Sequence, residues 1–136
     1  MVYFKALRRI GIDVSAAATR GLAPIHIKLI GRSIHASREH LGINPAWGLQ
    51  WVLETLRLYK FDLEKKSHPL LGHGTCTPTV VQGGVVPNAV SDFVDIYVDR
   101  RLIPGETVEG EVAEVRRRLF AARPSGSEIG IEVDVA

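Results

Sequence analysis

The chain has 136 residues, with 17 Lys plus Arg, 15 Asp plus Glu and a formal net charge of +2. That length suits one domain, able to bury about two thirds of its unfolded surface without disulfides or a structural metal. A hydrophobic fraction of 46% and a charged fraction of 24% exclude disorder for the bulk of the chain. No apolar run reaches the roughly 18 residues of a membrane span. The start MVYFKALRRIG lacks the apolar stretch of a signal peptide. A cytoplasmic protein without membrane contact is therefore expected. The lone Cys76 excludes an internal disulfide and a cysteine-based zinc site. A charge this small gives no reason to expect a nucleic-acid partner.

Residues 1–20 form a segment of unclear structure, in which Tyr3 to Ile10 fits a short helix. Residues 21–136 make the domain. From Pro24 to Ile30, apolar Ile25, Ile27 and Leu29 alternate with His26 and Lys28, the pattern of a half-buried strand. A loop, RSIHASREHLGI, follows Gly31. Asn44-Pro45 reads as an N-cap and an N1 proline, opening a helix that runs to about Lys60. Lys65, Lys66, Ser67 and Pro69 mark a polar loop, and His68 and His73 are placed in loops. A second strand is expected over 77–82. Gly83-Gly84 and Pro87 then signal a turn or bulge. Phe93 to Asp99 is a third strand. Thr107 can cap a second helix, whose apolar positions are Val108, Val112, Val115, Leu119 and Ala122. Glu109 and Glu111 lie in its first turn and Arg116, Arg117 and Arg118 towards its end, as the helix dipole favours. Ile129, Ile131, Val133 and Val135 alternate as a fourth strand.

The order β-α-β-β-α-β is the ferredoxin-like, α+β pattern: a four-stranded antiparallel sheet with both helices on one face. Strands one and three should be central and strand two an edge. On a helical wheel, helix 44–60 has a narrow polar stripe of Gln50, Glu54, Arg57 and Lys60. Its apolar arc covers roughly 200°, about twice what packing on one surface requires. With the uncharged edge CTPTVVQ beside it, this predicts a homodimer through helix 44–60 and strand 77–82.

Few residues carry a chemical signal. No pair among His26, His35, His40, His68 and His73 has metal-ligand spacing, no His-x-Asp occurs, and there is no Glu-Glu pair. Cys76 reads as a small apolar filler, and Arg116 to Arg118 as a solvated face. An RNA-binding sheet would need exposed aromatics, but Asp95 and Asp99 share the face of Phe93 and Tyr97. His35 stands apart. It sits in GRSIHAS among small residues, accessible and able to donate a hydrogen bond near neutral pH.

GLAPIHIKLIGRSIHAS (21–37), GINPA (42–46) and GGVVPNAVSDFVDIYVDRRLIPGET (83–107) together resemble the lid, or dimerisation, domain of the M20 metallopeptidases. That family includes acetylornithine deacetylase, succinyl-diaminopimelate desuccinylase and carboxypeptidase G. The resemblance implies the same fold and a homodimer. It implies that His35, the histidine of His-Ala-Ser, reaches the partner's active site and holds the oxygen of the tetrahedral intermediate. Asn88 and Arg101, the Arg of Asp-x-Arg, would bind the substrate's carboxylate or backbone. Pro87 precedes Asn88 here, where the family carries Asn-x-x-Pro. The family holds two metal ions, zinc or cobalt, in a separate catalytic domain whose His-x-Asp and Glu-Glu ligands this chain lacks. The parent would cleave N-acyl amino acids or small peptides with metal-activated water, and this chain alone is expected to be inactive. A second reading is a free-standing ferredoxin-like module that binds a small effector and regulates something else.

Overall fold

The computed structural model describes residues 21–136; the short helix expected over Tyr3 to Ile10 lies outside them. The strands are β1 (Leu22–Ile30), β2 (Thr75–Gly83), β3 (Phe93–Arg101) and β4 (Gly130–Val135). The helices are α1 (Gly48–Glu64) and α2 (Val108–Ala122). The sheet order is β2-β3-β1-β4, antiparallel throughout. Strands one and three are central and strand two is an edge, as the topology predicts.

Alternation builds the core. Ile25, Ile27 and Leu29 of β1 and Val94, Ile96 and Val98 of β3 point to one face, and all are buried. Val52, Leu56, Tyr59 and Leu63 of α1 and Val112, Val115 and Leu119 of α2 close over them. Each fully buried Ile or Leu contributes about 1.5–3 kcal/mol relative to exposure. On the opposite face, His26 and Tyr97 sit directly across from each other and stack, with ring centroids 4.7 Å apart. His26 Nε2 lies 2.7 Å from Asp95 Oδ1. His26 is thus a cross-strand packing residue rather than a free surface imidazole.

Several boundaries differ from the sequence reading, each for a local reason. Asn44 Oδ1 does accept the Ala46 N–H at 3.0 Å, but the first turn, Pro45–Trp47, is 3-10, and the α-helix begins at Gly48. It runs to Glu64 rather than Lys60, because nothing in FDLE breaks it and Lys60 pairs with Glu64 at i,i+4. The chain turns after Gly83-Gly84 and through Pro87 as expected, and a further register shift lies between Pro78 and Val80, where a proline cannot donate to the ladder. Ser67–His68 and Gly72–His73 pair as a two-residue ladder inside the expected loop. In the loop after Gly31, Ala36–Leu41 is a 3-10 turn.

Thr107 Oγ1 accepts the Gly110 N–H at 3.0 Å and caps α2 as expected. The arginine run does not lie in the last helical turn, so the dipole does not explain it. Arg118 reaches Asp62 on α1 at 2.8 Å and Glu114 at 2.8 Å, while Arg117 also donates to Glu114 at 2.6 Å. The Arg116 Nη2 donates to the Val133 carbonyl at 2.6 Å. Two of the three therefore fasten α2 to its neighbours and are not a merely solvated face. Hydrogen bonds from Arg117 and then Arg118 pull the Glu114 carboxyl down to about 2. In the unfolded chain it titrates in the ordinary carboxylate range, so between these values the unfolded state binds the extra proton. Its stabilisation is complete above about pH 5 and is lost as pH falls towards 2. Glu114→Gln should flatten the fall in stability between pH 5 and 2, read by urea melts across that range. A wild-type slope in the variant would refute the coupling.

Candidate functional site

The site grows from the close approach of two loops at the end of the sheet where β1 stops and β3 starts. Gly31 N–H donates to Asp92 O at 2.7 Å, and Arg32 and Ile43 exchange both backbone bonds at 2.8 and 3.0 Å. A Cβ on Gly31 would sit 2.1 Å from Ile43 O and 2.6 Å from Pro45 Cδ. Only glycine lets the chain pass here, which explains the residue in GRSIHAS and couples it to GINPA. Across the gap, Ala36 N–H donates to Asn88 O at 2.8 Å and Val90 N–H to Ile34 O at 2.8 Å. His35 and Ala89 form an antiparallel bridge between these two bonds. Two of the expected site residues, His35 and Asn88, are thus placed side by side by backbone pairing.

His35 is exposed, as its loop position predicts. It is also the N-cap of the 3-10 turn: its Nδ1 accepts the Ser37 N–H at 3.2 Å and lies 2.7 Å from Ser37 Oγ. The ring is bonded within its own turn and faces solvent, so it does not pin the loop from inside a core. Sequence reading found the His-Ala-Ser string but missed Ser37 as the ring's partner; the spacing i, i+2 is the available signal, because side chains that cap a turn meet donors two residues on.

Arg101 lies elsewhere. It is paired with Leu22 and Thr75, whereas Phe93, at the other end of β3, is paired with Ile30. Eight residue steps separate Phe93 from Arg101, about 26 Å along a strand. Within one chain the three residues do not form one site. The Arg101 guanidinium is aimed by Asp99, with Nε to Oδ1 at 2.8 Å and Nη2 to Oδ2 at 3.2 Å. The Asp-x-Arg spacing places both on one face of the strand, because side chains alternate with period two.

Other candidates recede. Cys76 is buried in the core, and burial pushes its thiol up to about 11, so it stays protonated and is the filler that its position predicts. The Nδ1 of His68 accepts the Leu70 and Leu71 N–H groups at 3.1 and 3.2 Å. Among the described residues, no group of three or more His, Cys, Asp or Glu could hold a metal ion. No helix of the described residues is long and apolar enough to cross a membrane.

Residues 17–126 match the model of the peptidase dimerisation domain of the M20 family. The chain belongs to that family. The domain's fold recurs in solved enzymes. An amidase of the hydantoinase/carbamoylase family from Burkholderia ambifaria superposes with a TM-score of 0.67 at 12% identity, covering 85% of this chain and 27% of that one. A tripeptidase from Staphylococcus aureus gives 0.60 at 21%, covering 85% and 28%. The aminopeptidase PepT from Bacillus cereus gives 0.57 at 20%, covering 84% and 29%. Comparison with curated proteins returns no match. The dimerisation domain spans less than a third of each of these enzymes. M20 enzymes are metal-dependent hydrolases, and the match to a dimerisation domain points to self-association.

Proposed function

We propose that this domain is the dimerising lid of a cytoplasmic, acetylornithine deacetylase-like M20 amidohydrolase acting on N-acyl amino acids or small peptides. The metal ions, zinc or cobalt, would sit on residues outside this chain. His35 would donate a hydrogen bond to the oxygen of the tetrahedral intermediate in the partner's active site, and Asn88 and Arg101 would bind the substrate's carboxylate or backbone. No nucleic acid or membrane takes part.

One observation carries this reading: His35 and Asn88 share one end of the sheet, and Arg101 lies at the other. A two-fold axis perpendicular to the sheet, with β2 pairing against its own copy, reverses the strand direction of the second subunit. The His35–Asn88 end of one subunit then lies on the same side as Arg101 of its partner, about 14 Å away across three strand spacings. One substrate could meet all three only in that dimer, and each dimer would carry two such sites.

The surface that such pairing needs is present. Along β2, Val80 and Val81 are exposed, and an uncharged edge strand invites pairing. On the helix side, Leu53 and Leu58 remain uncovered, and Leu53, Leu56, Arg57, Lys60, Cys76 and Pro78 line a groove between α1 and β2. Trp51 packs partly on the core, so a change there would mix folding with association. Leu53→Glu is the cleaner probe. It should weaken the dimer at least thirtyfold, about 2 kcal/mol or more, the effect of an interface anchor. Sedimentation equilibrium reads this directly, and an unchanged association constant would remove α1 from the interface.

The function itself is tested by complementation. In a polypeptide carrying this domain together with a metal-binding domain, His35→Ala and Arg101→Ala homodimers should both lose nearly all activity. A mixed dimer would retain one site with both residues intact. About half of the activity per dimer should return, and none should return if His35 and Arg101 of the same chain serve one site.

A further inference from the structure

We infer that Ser37 is a positioning residue for His35, holding its neutral imidazole in the tautomer that carries the proton on Nε2. This rests on the role proposed for His35 above, and it adds the donor atom and the residue that selects it. The best side chains for an N-cap are Ser, Thr, Asp and Asn. Here a histidine fills that position, and its ring nitrogen does the capping. A backbone N–H can only donate, so the Ser37 amide at 3.2 Å from Nδ1 requires a lone pair on that nitrogen. The Ser37 hydroxyl at 2.7 Å can donate to the same nitrogen. The amide, which cannot accept, disfavours a proton on Nδ1 and leaves the N–H on Nε2; the hydroxyl, which can donate or accept, follows that choice and donates. The backbone of the turn is held independently, by Ala36 N–H to Asn88 O at 2.8 Å and Arg38 N–H to His35 O at 2.9 Å. The ring therefore has a fixed root and a fixed tautomer.

The consequence is chemical. An imidazole so held offers Nε2–H as a donor without taking a proton from solvent, which suits an oxygen that gains negative charge in the transition state. It cannot use Nε2 as a base, because that atom already holds the proton. Of the two roles open to a histidine near neutral pH, the turn geometry selects the donor.

The test uses the chain itself, labelled with 15N, at mildly alkaline pH where an imidazole is neutral. Long-range 1H–15N correlations report which ring nitrogen bears the proton, and His35→Gln assigns the signal. In the wild type the Nε2–H pattern should dominate. Relative to the same histidine in the urea-unfolded chain, where the amide is not held against Nδ1, the Nε2–H to Nδ1–H ratio should be about three- to tenfold higher, the effect of one net hydrogen bond, and Ser37→Ala, which keeps the amide donor, should retain it. Ser37→Thr keeps both donors and should match the wild type. Unchanged amide spectra of β1 and β3 would show that each variant folds. A dominant Nδ1–H form in the wild type, or a ratio no higher than in the unfolded chain, would overturn the inference. Neither outcome bears on the dimer or on turnover, so a failure here is distinct from a failure of the proposed function.

Discussion

Arg100→Met is expected to lower the free energy of unfolding by about 3–5 kcal/mol, the cost of removing one partner from a buried charge network. The alternation of β3 directs Val94, Ile96, Val98 and then Arg100 towards the helices, and the Arg100 side chain is 0% exposed. Every nitrogen of its guanidinium donates a hydrogen bond. Nε donates to Tyr59 Oη at 2.8 Å, and Nη2 to Glu106 at 2.9 Å and Glu111 at 2.7 Å, while Nη1 donates to the Arg101 carbonyl. The Tyr59 hydroxyl in turn donates a hydrogen bond to Glu111 Oε1 at 2.6 Å. Burial, followed by that bond, raises the Tyr59 hydroxyl well above its ordinary range, so it remains a neutral donor. One side chain thus joins β3 to α1, to α2 and to the turn after Arg101. Methionine fills much of the volume but strands Glu106 and Glu111 without their cation. Urea denaturation measures the loss, and a value below about 1 kcal/mol would mean that the carboxylates re-solvate at little cost. Arg100→Met combined with Glu111→Gln should lose less than the sum of the single changes, because the stranded charge is then gone. Gly74 belongs to the same node: a Cβ there would lie 2.6 Å from Arg100 Nη1 and 2.9 Å from Arg101 O, so Gly74→Ala must displace both.

Period and punctuation made most of this fold legible, because both are local. Ile25, Ile27 and Leu29, or Val108 to Ala122 with Thr107 before them, declare their elements within a few residues. The arginine at position 100 did not declare itself, although it interrupts an inward series of β-branched residues. Its meaning depends on Tyr59, Glu106 and Glu111, and only folding brings α1 and α2 to it. The same holds for the site. His35 could be singled out from GRSIHAS, and the resemblance pointed to Asn88 and Arg101, yet neither gave their spacing. The bridge from His35 to Ala89 joins loops more than fifty residues apart in the chain. The separation of Arg101 from that pair follows from strand direction, which no motif encodes. The bulge at Pro78 was missed for a simpler reason: the glycine pair further on was the stronger turn signal, but a proline inside a paired strand is what disrupts the ladder.

His35→Ala should separate structure from chemistry. Among the described residues the ring bonds only to Ser37, in an exposed turn whose backbone is tied down by Asn88 and Val90. Its loss costs a cap on one 3-10 turn, so the isolated domain should lose only about 0.5–1 kcal/mol, near the lower end for cap removal. In a polypeptide that also carries the metal-binding domain, the same change should lower kcat by about 10²–10³, or roughly 3–4 kcal/mol, the effect of deleting one donor to a developing oxyanion. Metal content and dimerisation should be unchanged, because the imidazole is neither a ligand nor part of the α1–β2 surface. His35→Gln keeps a neutral donor and should recover part of kcat, whereas a residue acting as a base would not be replaced by an amide. If His35→Ala changed KM alone, the ring would bind ground state and transition state equally. A loss of 2 kcal/mol or more in the isolated domain would instead make His35 a structural pin for the 31–47 loop. The two readings therefore part on measurements that need no knowledge of the substrate beyond its turnover.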